Sequence, residues 1–341
     1  MLPAPTIYAV RVEDLTTPAL LVDADALDHN LRTMSAALPG PRLRPHVKAH
    51  KCTGLAGMQA RLGHHGFTCA TVREVVGMAA AGLGADLLLA NQVVDPRALD
   101  RLGRLDARVT VAVDSAATIE AAVRGRIREV VVDVNVGIPR CGCAVEDAGR
   151  LAELAQTGGL LVRGVMGYEG HAVGLHDRAL RAETTEAAME VLARAHREVG
   201  GDVISAGGTG TYDLNVLATE IQAGSYALLD TAYARLDLPF RQALSVLATV
   251  ISVSASGYAV ADCGLKALGM DHGNPSLEGG QDVYLVADEH ITFGIDTPTA
   301  VGDRVRVLPA HVDPTVAYHE RMHVVRDGEV VETWPVDLRG W

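Results

Sequence analysis

Three short stretches of this 341-residue chain carry side chains whose types and spacing could do chemistry. The first is Arg44-Pro45-His46-Val47-Lys48-Ala49-His50-Lys51. Side chains alternate between faces along a strand, so an extended reading points His46, Lys48 and His50 the same way. Pro45 supports an extended start and Val47 suits a half-buried strand. Burial and cationic neighbours lower a lysine's pKa, which leaves a nucleophilic amine suited to a Schiff base. The plainer alternative is a strand that ends on a basic, solvated edge. The second stretch is Ser205-Ala206-Gly207-Gly208-Thr209-Gly210-Thr211. Glycines let the backbone approach a ligand and turn its amides inward, and threonine hydroxyls add donors, a combination that fits a phosphate. Gly224-Ser225-Tyr226 offers a second contact. The third is His311-Val312-Asp313, an imidazole and a carboxylate two residues apart. On an extended segment both face one way and suit Mn²⁺, Mg²⁺ or Zn²⁺, although most such pairs are exposed loop residues.

The elements that must position these residues follow from hydrophobic periodicity. Short apolar runs alternate with amphipathic stretches, as in repeated βα units. The pattern predicts strands over 19–22, 43–48, 67–70, 87–90, 109–113, 130–136, 164–167, 203–206 and 221–229. It predicts helices over 24–37, 72–81, 117–123, 145–155 and 177–199. That is one strand more than a closed (β/α)8 barrel needs. From about residue 244 the helical pattern stops, and strand-like runs are separated by turn signals such as Ser256-Gly257, Gly279-Gly280 and Asp327-Gly328. The reading is therefore α/β: a TIM barrel over 24–243, and a β domain built from 244–341 that also takes up the N-terminal segment 1–23. Lys48 then ends the first barrel strand and the glycine loop follows the seventh. Barrel enzymes keep their chemistry at that end and bind phosphate after strands seven and eight. A lysine after strand one and a phosphate cradle after strand seven together point to pyridoxal 5′-phosphate.

Composition narrows the function classes. The formal net charge is −12 with no long block of Lys or Arg, which argues against nucleic acid and against anionic membranes. The five cysteines are odd in number and follow no disulfide framework, so reduced thiols in a cytoplasmic protein are expected. Met1-Leu2-Pro3-Ala4-Pro5 has no basic stretch before an apolar one, so no signal peptide is read there. The uncharged run 244–261 is long enough to span a bilayer. Its four serines, one threonine and one glycine, with many β-branched residues, suit a sheet instead.

The chain resembles the fold-type III pyridoxal-phosphate enzymes of the alanine racemase-like fold, and within them the D-threonine aldolase and D-serine dehydratase group. The residues that carry the resemblance run in order over almost the whole chain. They are the 44–51 stretch, Arg140-Cys141-Gly142, Gly167-Tyr168-Glu169-Gly170-His171, Gly207-Gly208-Thr209-Gly210-Thr211, and His311-Val312-Asp313-Pro314. The resemblance implies Lys48 as the Schiff-base lysine, with His46 beside it and Lys51 a bystander. It implies a phosphate against Gly208, Thr209, Gly210, Gly224 and Ser225, with Arg140 near the cofactor's phenolic oxygen and Tyr168 beside its ring. It also implies a divalent metal on His311 and Asp313. Aldolases of the group have His-x-Asp here, whereas its dehydratases typically have His-x-Cys. The expected activity is retro-aldol cleavage of β-hydroxy D-amino acids by a homodimer. The alternatives are a D-serine dehydratase-like ammonia-lyase, a racemase, or a non-catalytic cofactor carrier. A catalytic histidine is expected several residues after Tyr168. His171 is the candidate and His176 the alternative, neither fits that spacing squarely, and a loop histidine without a catalytic part is the plain reading.

Overall fold

A computed structural model describes residues 10–341; the segment 1–9, with which the expected β domain begins, lies outside the described residues. Strand β1 (Ala19–Asp23) and helix α1 (Ala24–Ala37) come first, followed by α2 (Thr53–Arg61). A βα series then runs β2 (Gly66–Cys69), α3 (Val72–Ala80), β3 (Asp86–Leu89), α4 (Pro96–Gly103), β4 (Val109–Val113), α5 (Ala116–Arg124) and β5 (Glu129–Asp133). It continues through α6 (Ala148–Thr157), β6 (Leu161–Met166), α7 (Arg178–Val199), β7 (Val203–Ala206) and β8 (Glu220–Ile221). Helix starts are marked locally. Thr71 with Glu74 and Ser115 with Thr118 form capping boxes, while Asp95 and Asp177 cap α4 and α7.

Strands β2 to β8 form one parallel sheet in chain order. The two edges are joined by the segment 43–46, where Leu43 bridges Ile221 and His46 bridges Thr68, both parallel. Arg44 N donates to Ile221 O (2.9 Å), His46 N to Ala223 O (3.0 Å) and Thr68 N to Pro45 O (2.9 Å). This is the expected (β/α) barrel, its eighth position filled by a segment too short to be a regular strand. Leu88, Ala112, Val131, Met166 and Val203 pack within it. The unit that contains the barrel comprises Leu31–Tyr226, Arg235–Pro239 and Asp337–Trp341.

The second unit takes the described residues up to Asn30 with Ala227–Ala234 and Phe240–Val336. It holds α8 (Thr231–Ala234), β9 (Leu244–Ser254), β10 (Tyr258–Ala261), β11 (Ser276–Leu277), β12 (Val283–Val286) and β13 (Ile291–Gly294). It ends with β14 (Arg304–Leu308), α9 (Val312–Tyr318), β15 (Arg321–Arg326) and β16 (Glu329–Pro335). Its sheet runs β12-β13-β10-β9-β1-β15-β16, with β14 joining β9 to β11. The apolar run of β1 is sandwiched antiparallel to β9 and parallel to β15. The N-terminal strand therefore belongs to the β domain, as the strand count requires. Leu15, Ala19, Leu21, Leu247 and Val325 form its core.

Three local expectations are corrected. Residues 43–48 do not continue as a strand: the chain turns into a 3-10 helix at Val47–Ala49. The imidazoles themselves cap the turn. His46 Nδ1 accepts from Lys48 N (3.4 Å), and His50 Nδ1 accepts from Cys52 N (3.2 Å). His46, Lys48 and His50 thus do not share one strand face. Residues 221–229 are not a strand beyond Ile221, because Gly224 packs its backbone against His46. Residues 311–313 are not extended, since Val312 opens α9 with His311 as its N-cap. The run 244–261 forms β9 and β10. Among the described residues no helix is long and apolar enough to cross a membrane.

Candidate active site

At the C-terminal end of the barrel the Lys48 turn meets the segment after β8. A Cβ on Gly224 would stand 2.5 Å from His46 O and 3.2 Å from the Ala49 Cβ, so only glycine lets these backbones close up. Lys48 is half-buried in the middle of that turn. Lys51, three residues on, is engaged elsewhere: it adopts φ +46° and its ammonium is paired with the fully buried Glu74. Glu74 also accepts the amides of Ala70 (2.6 Å) and Thr71 (3.3 Å). The two lysines of the motif are therefore separated by their partners.

The glycine loop after β7 is built around a second buried carboxylate. Glu169 has no solvent exposure. It accepts Gly207 N at 3.2 Å, the Thr211 hydroxyl at 2.8 Å and Asn215 Nδ2 at 3.3 Å. Gly208 N donates to the Thr211 hydroxyl (3.2 Å), and Thr209 Oγ1 accepts from Tyr226 N (3.0 Å). A Cβ on Gly210 would lie 1.9 Å from Val173 O. Among the described residues no acceptor meets the amides of Thr209, Gly210, Gly224 or Ser225. Thr209 and Ser225 are themselves buried. Four N–H groups on two glycine-bearing loops, without acceptors among the described residues, suit an anion such as a phosphate. The Gly208 amide and the Thr209 hydroxyl, both in the sequence-predicted set, also serve the loop's own fold.

Tyr168 leans over this loop. A Cβ on Gly208 would meet its ring at 3.4 Å, and one on Gly170 would meet it at 2.6 Å. The Arg140 guanidinium lies 5.2 Å from the centre of the Tyr168 ring, within cation–π range. Arg140 sits in the loop after β5, which folds back so that Cys143 N donates to Asp133 O and Asn135 N to Cys143 O. Gly142, at φ +107°, makes that return possible. Beneath it Asp133 is buried, and burial pushes its pKa up to about 6 against the opposing hydrogen bond from Gln92 Nε2 (2.7 Å).

His171 and His176 lie in the turns between β6 and α7, both exposed. The His171 ring packs over Gly137, whose Cβ would meet it at 2.9 Å. The fully buried Arg181 donates to the carbonyls of Leu175 and His176 and so anchors the segment. Either histidine is presented on a fixed loop.

The second unit presents His311 and Asp313. Their Nε2 and Oδ2 atoms are 3.6 Å apart, and both side chains are largely buried (17% and 15% exposed). The start of α9 is pinned by Asp230, which accepts Val312 N (3.0 Å), and by Thr315, whose hydroxyl donates to His311 O (2.7 Å). At 3.6 Å this imidazole nitrogen and carboxylate oxygen stand slightly wider than two ligands each about 2.1 Å from one ion, which lie roughly 3.0–3.4 Å apart, so a small closure lets them share a divalent cation. Sequence reasoning gave no role to Glu169, Asn215, Arg181, Asp230 or Asp271. Glu169 stood inside a quoted motif, and its place beside Tyr168 was the one signal on offer.

Comparison with known proteins agrees with this arrangement. Residues 22–230 match the family described as alanine racemase, N-terminal domain, and residues 243–325 match a putative serine dehydratase domain. A D-threonine aldolase from Arthrobacter sp. is 35% identical over 100% of this chain and 97% of its own length. A 3-hydroxy-D-aspartate aldolase from Paracoccus denitrificans is 33% identical, over 98% of this chain and 95% of its own. The crystal structure of D-threonine aldolase from Filomicrobium marinum superposes with a TM-score of 0.93 at 34% identity, covering 99% of each chain.

Proposed function

Because the chain belongs to the alanine racemase N-terminal domain family, with a putative serine dehydratase domain behind it, we propose that it is a pyridoxal-phosphate lyase. It cleaves β-hydroxy D-amino acids by a retro-aldol reaction, as the names of its aldolase relatives state for those proteins. The observation that carries the reading is the set of four amides that meet no acceptor among the described residues, at 209, 210, 224 and 225, closed by Gly224 against the turn that bears Lys48.

Pyridoxal phosphate, when bound, supplies an electron sink for charge developing at the substrate's Cα. This chain's residues would hold it as follows. Lys48 Nζ is the attachment amine, while the Thr209, Gly210, Gly224 and Ser225 amides take the phosphate. Gly208 and Tyr168 would flank the ring, His46 caps the lysine turn, and Arg140 would supply positive charge towards the phenolic oxygen. Glu169 holds the loop so that its remaining amides point at the anion. A divalent cation, Mn²⁺, Mg²⁺ or Zn²⁺, is assigned to His311 and Asp313, where it would lower the pKa of a hydroxyl it meets. His171, or His176 in its place, takes the β-hydroxyl proton. Loss of that proton from oxygen lets the Cα–Cβ bond break: the aldehyde C=O forms, the bonding pair passes to Cα, and Cα then takes up one proton to give glycine. The aldolase outcome is further supported by Asp313, the residue that the resemblance associates with aldolases rather than dehydratases.

The substrate is a small D-amino acid, and the formal net charge of −12 argues against nucleic acid as a partner. Free thiols at all five cysteines suit a cytoplasmic setting. Exposed Ile251, Val253, Tyr258, Tyr284 and Leu285 on β9, β10 and β12 support a homodimer.

The experiment is product analysis with D-threonine and D-serine, each with Mn²⁺ and with EDTA. Glycine and acetaldehyde from D-threonine, lost in EDTA, is the expected result. Oxo acid and ammonia would replace the aldolase by a dehydratase, and D-to-L interconversion alone would replace it by a racemase.

A further inference from the structure

We propose that Asp271 is a positioning residue for the metal pair: it fixes the tautomer and orientation of His311 so that Nε2 faces Asp313. The inference rests on the assignment of His311 and Asp313 to a divalent cation. His311 Nδ1 lies 2.9 and 2.8 Å from the two Asp271 carboxylate oxygens. An ionised carboxylate only accepts, so Nδ1 carries the proton and donates. The neutral ring then has its lone pair on Nε2, which is the nitrogen 3.6 Å from Asp313 Oδ2. Ring rotation is limited by His272, stacked on His311 with centroids 3.7 Å apart and planes at 13°. Metal-binding imidazoles commonly donate their second nitrogen to a carboxylate in this way, which fixes the ring and raises ligand basicity.

A rival arrangement uses the same atoms. Asp271, His272 and His311 each offer a ligand atom within 4.8 Å of the others, a set that could itself hold an ion. While Nδ1 donates its proton to Asp271 it has no lone pair to offer a cation, so an ion between them would have to replace that hydrogen bond. Asp271 and His272 are also more open to water than His311 and Asp313: their side chains are 58% and 44% exposed, against 17% and 15%. The geometry thus favours Asp271 as the support and Asp313 as the ligand.

The test has two arms, both read without turnover. In metal-free protein labelled with ¹⁵N-histidine, long-range ¹H–¹⁵N spectra report the tautomer of His311. The Nδ1–H form is expected in the wild type. Asp271→Leu should shift the ring towards Nε2–H, and Asp271→Asn, whose carbonyl still accepts, should retain most of the wild-type tautomer. Mn²⁺ titration of the same proteins should show affinity reduced about 10- to 100-fold by Asp271→Leu, less by Asp271→Asn, and most by Asp313→Asn. Asp271 lies on the surface, and matching circular dichroism establishes that the variants fold. An Nε2–H tautomer in the wild type, or wild-type Mn²⁺ affinity in Asp271→Leu, overturns the proposal. So does a larger loss from Asp271→Asn than from Asp313→Asn, which would make Asp271 a ligand. Unchanged Mn²⁺ affinity in Asp313→Asn overturns the metal pair itself, and is told apart from failure of the Asp271 role by the metal-free spectra.

Discussion

The two ends of the barrel treat charge in opposite ways. At the N-terminal end a cluster of three arginines and three carboxylates is mutually paired. Arg44, 3% exposed, pairs with Asp86 (2.7 Å) and Glu220 (2.8 Å). Arg163 pairs with Asp86 (2.8 Å) and Glu129 (3.5 Å) and donates to Thr110 (2.8 Å), while Arg108 closes on Glu129 (2.9 Å). Burial pushes Asp86 up, but the hydrogen bonds and charges of Arg163 and Arg44 outweigh it and hold the carboxyl below its ordinary value. At the C-terminal end Arg140 is exposed, four backbone amides have no acceptor among the described residues, and Asp133 is buried with its pKa raised to about 6. A fold that pairs its charges at one end and leaves donors open at the other has separated what holds it together from what it binds.

That contrast can be broken at the closed end. Arg163→Ala takes from Asp86 and Glu129 one of the two arginines each holds, with the hydrogen bonds to Asp86 and Thr110, and should cost about 3 kcal/mol in denaturant unfolding, while the folded fraction keeps wild-type cofactor affinity. Gly210→Ala should do the reverse. Its Cβ would meet Val173 O at 1.9 Å, so the loop must shift. Cofactor affinity, followed by absorbance, should fall on the order of 100-fold, or about 3 kcal/mol.

Two effects sharpen the comparison through pH. The folded pKa of Asp133 is raised, so the folded state holds its proton longer than the unfolded chain. Stability from this group is complete below the unfolded value and lost as pH rises to about 6. Asp133→Asn should therefore stabilise the protein at pH 8 by about 3 kcal/mol and have little effect at pH 4. Asp86 has the opposite sign: its contribution is present above the unfolded carboxylate pKa and is lost on acidification through its lower folded value. Least in size, Glu169→Gln places a donor against Gly207 N or the Thr211 and Asn215 donors. It should weaken cofactor binding about tenfold, close to 1.4 kcal/mol.

The open end was partly legible in the sequence and the closed end hardly at all. Periodicity reproduces α1 over Ala24–Ala37 and the strands Val109–Val113 and Val203–Ala206, because those elements bury a continuous apolar face. The glycine loop was readable since each glycine answers a local steric demand. The strand expected over 43–48 failed because histidine side chains cap the turn there, and alternation cannot register a side chain that bonds its own backbone. The extended reading failed beyond His311, at Val312 and Asp313, for a related reason, with Asp230, a residue 82 positions away, accepting the amide that opens α9. Helix α4 went unread although Asp95-Pro96 is a helix-start signal. Glu169 and Asp271 act on partners 38–46 and 40 residues away, a separation no window of sequence reports.

The claim on which the rest depends is that the open end of the barrel holds pyridoxal phosphate on Lys48. Borohydride reduction of the holoenzyme followed by peptide mapping tests it directly. The account expects the reduced adduct on Lys48 alone, and none in Lys48→Ala. An adduct on Lys51, or equal trapping in Lys48→Ala, would contradict it.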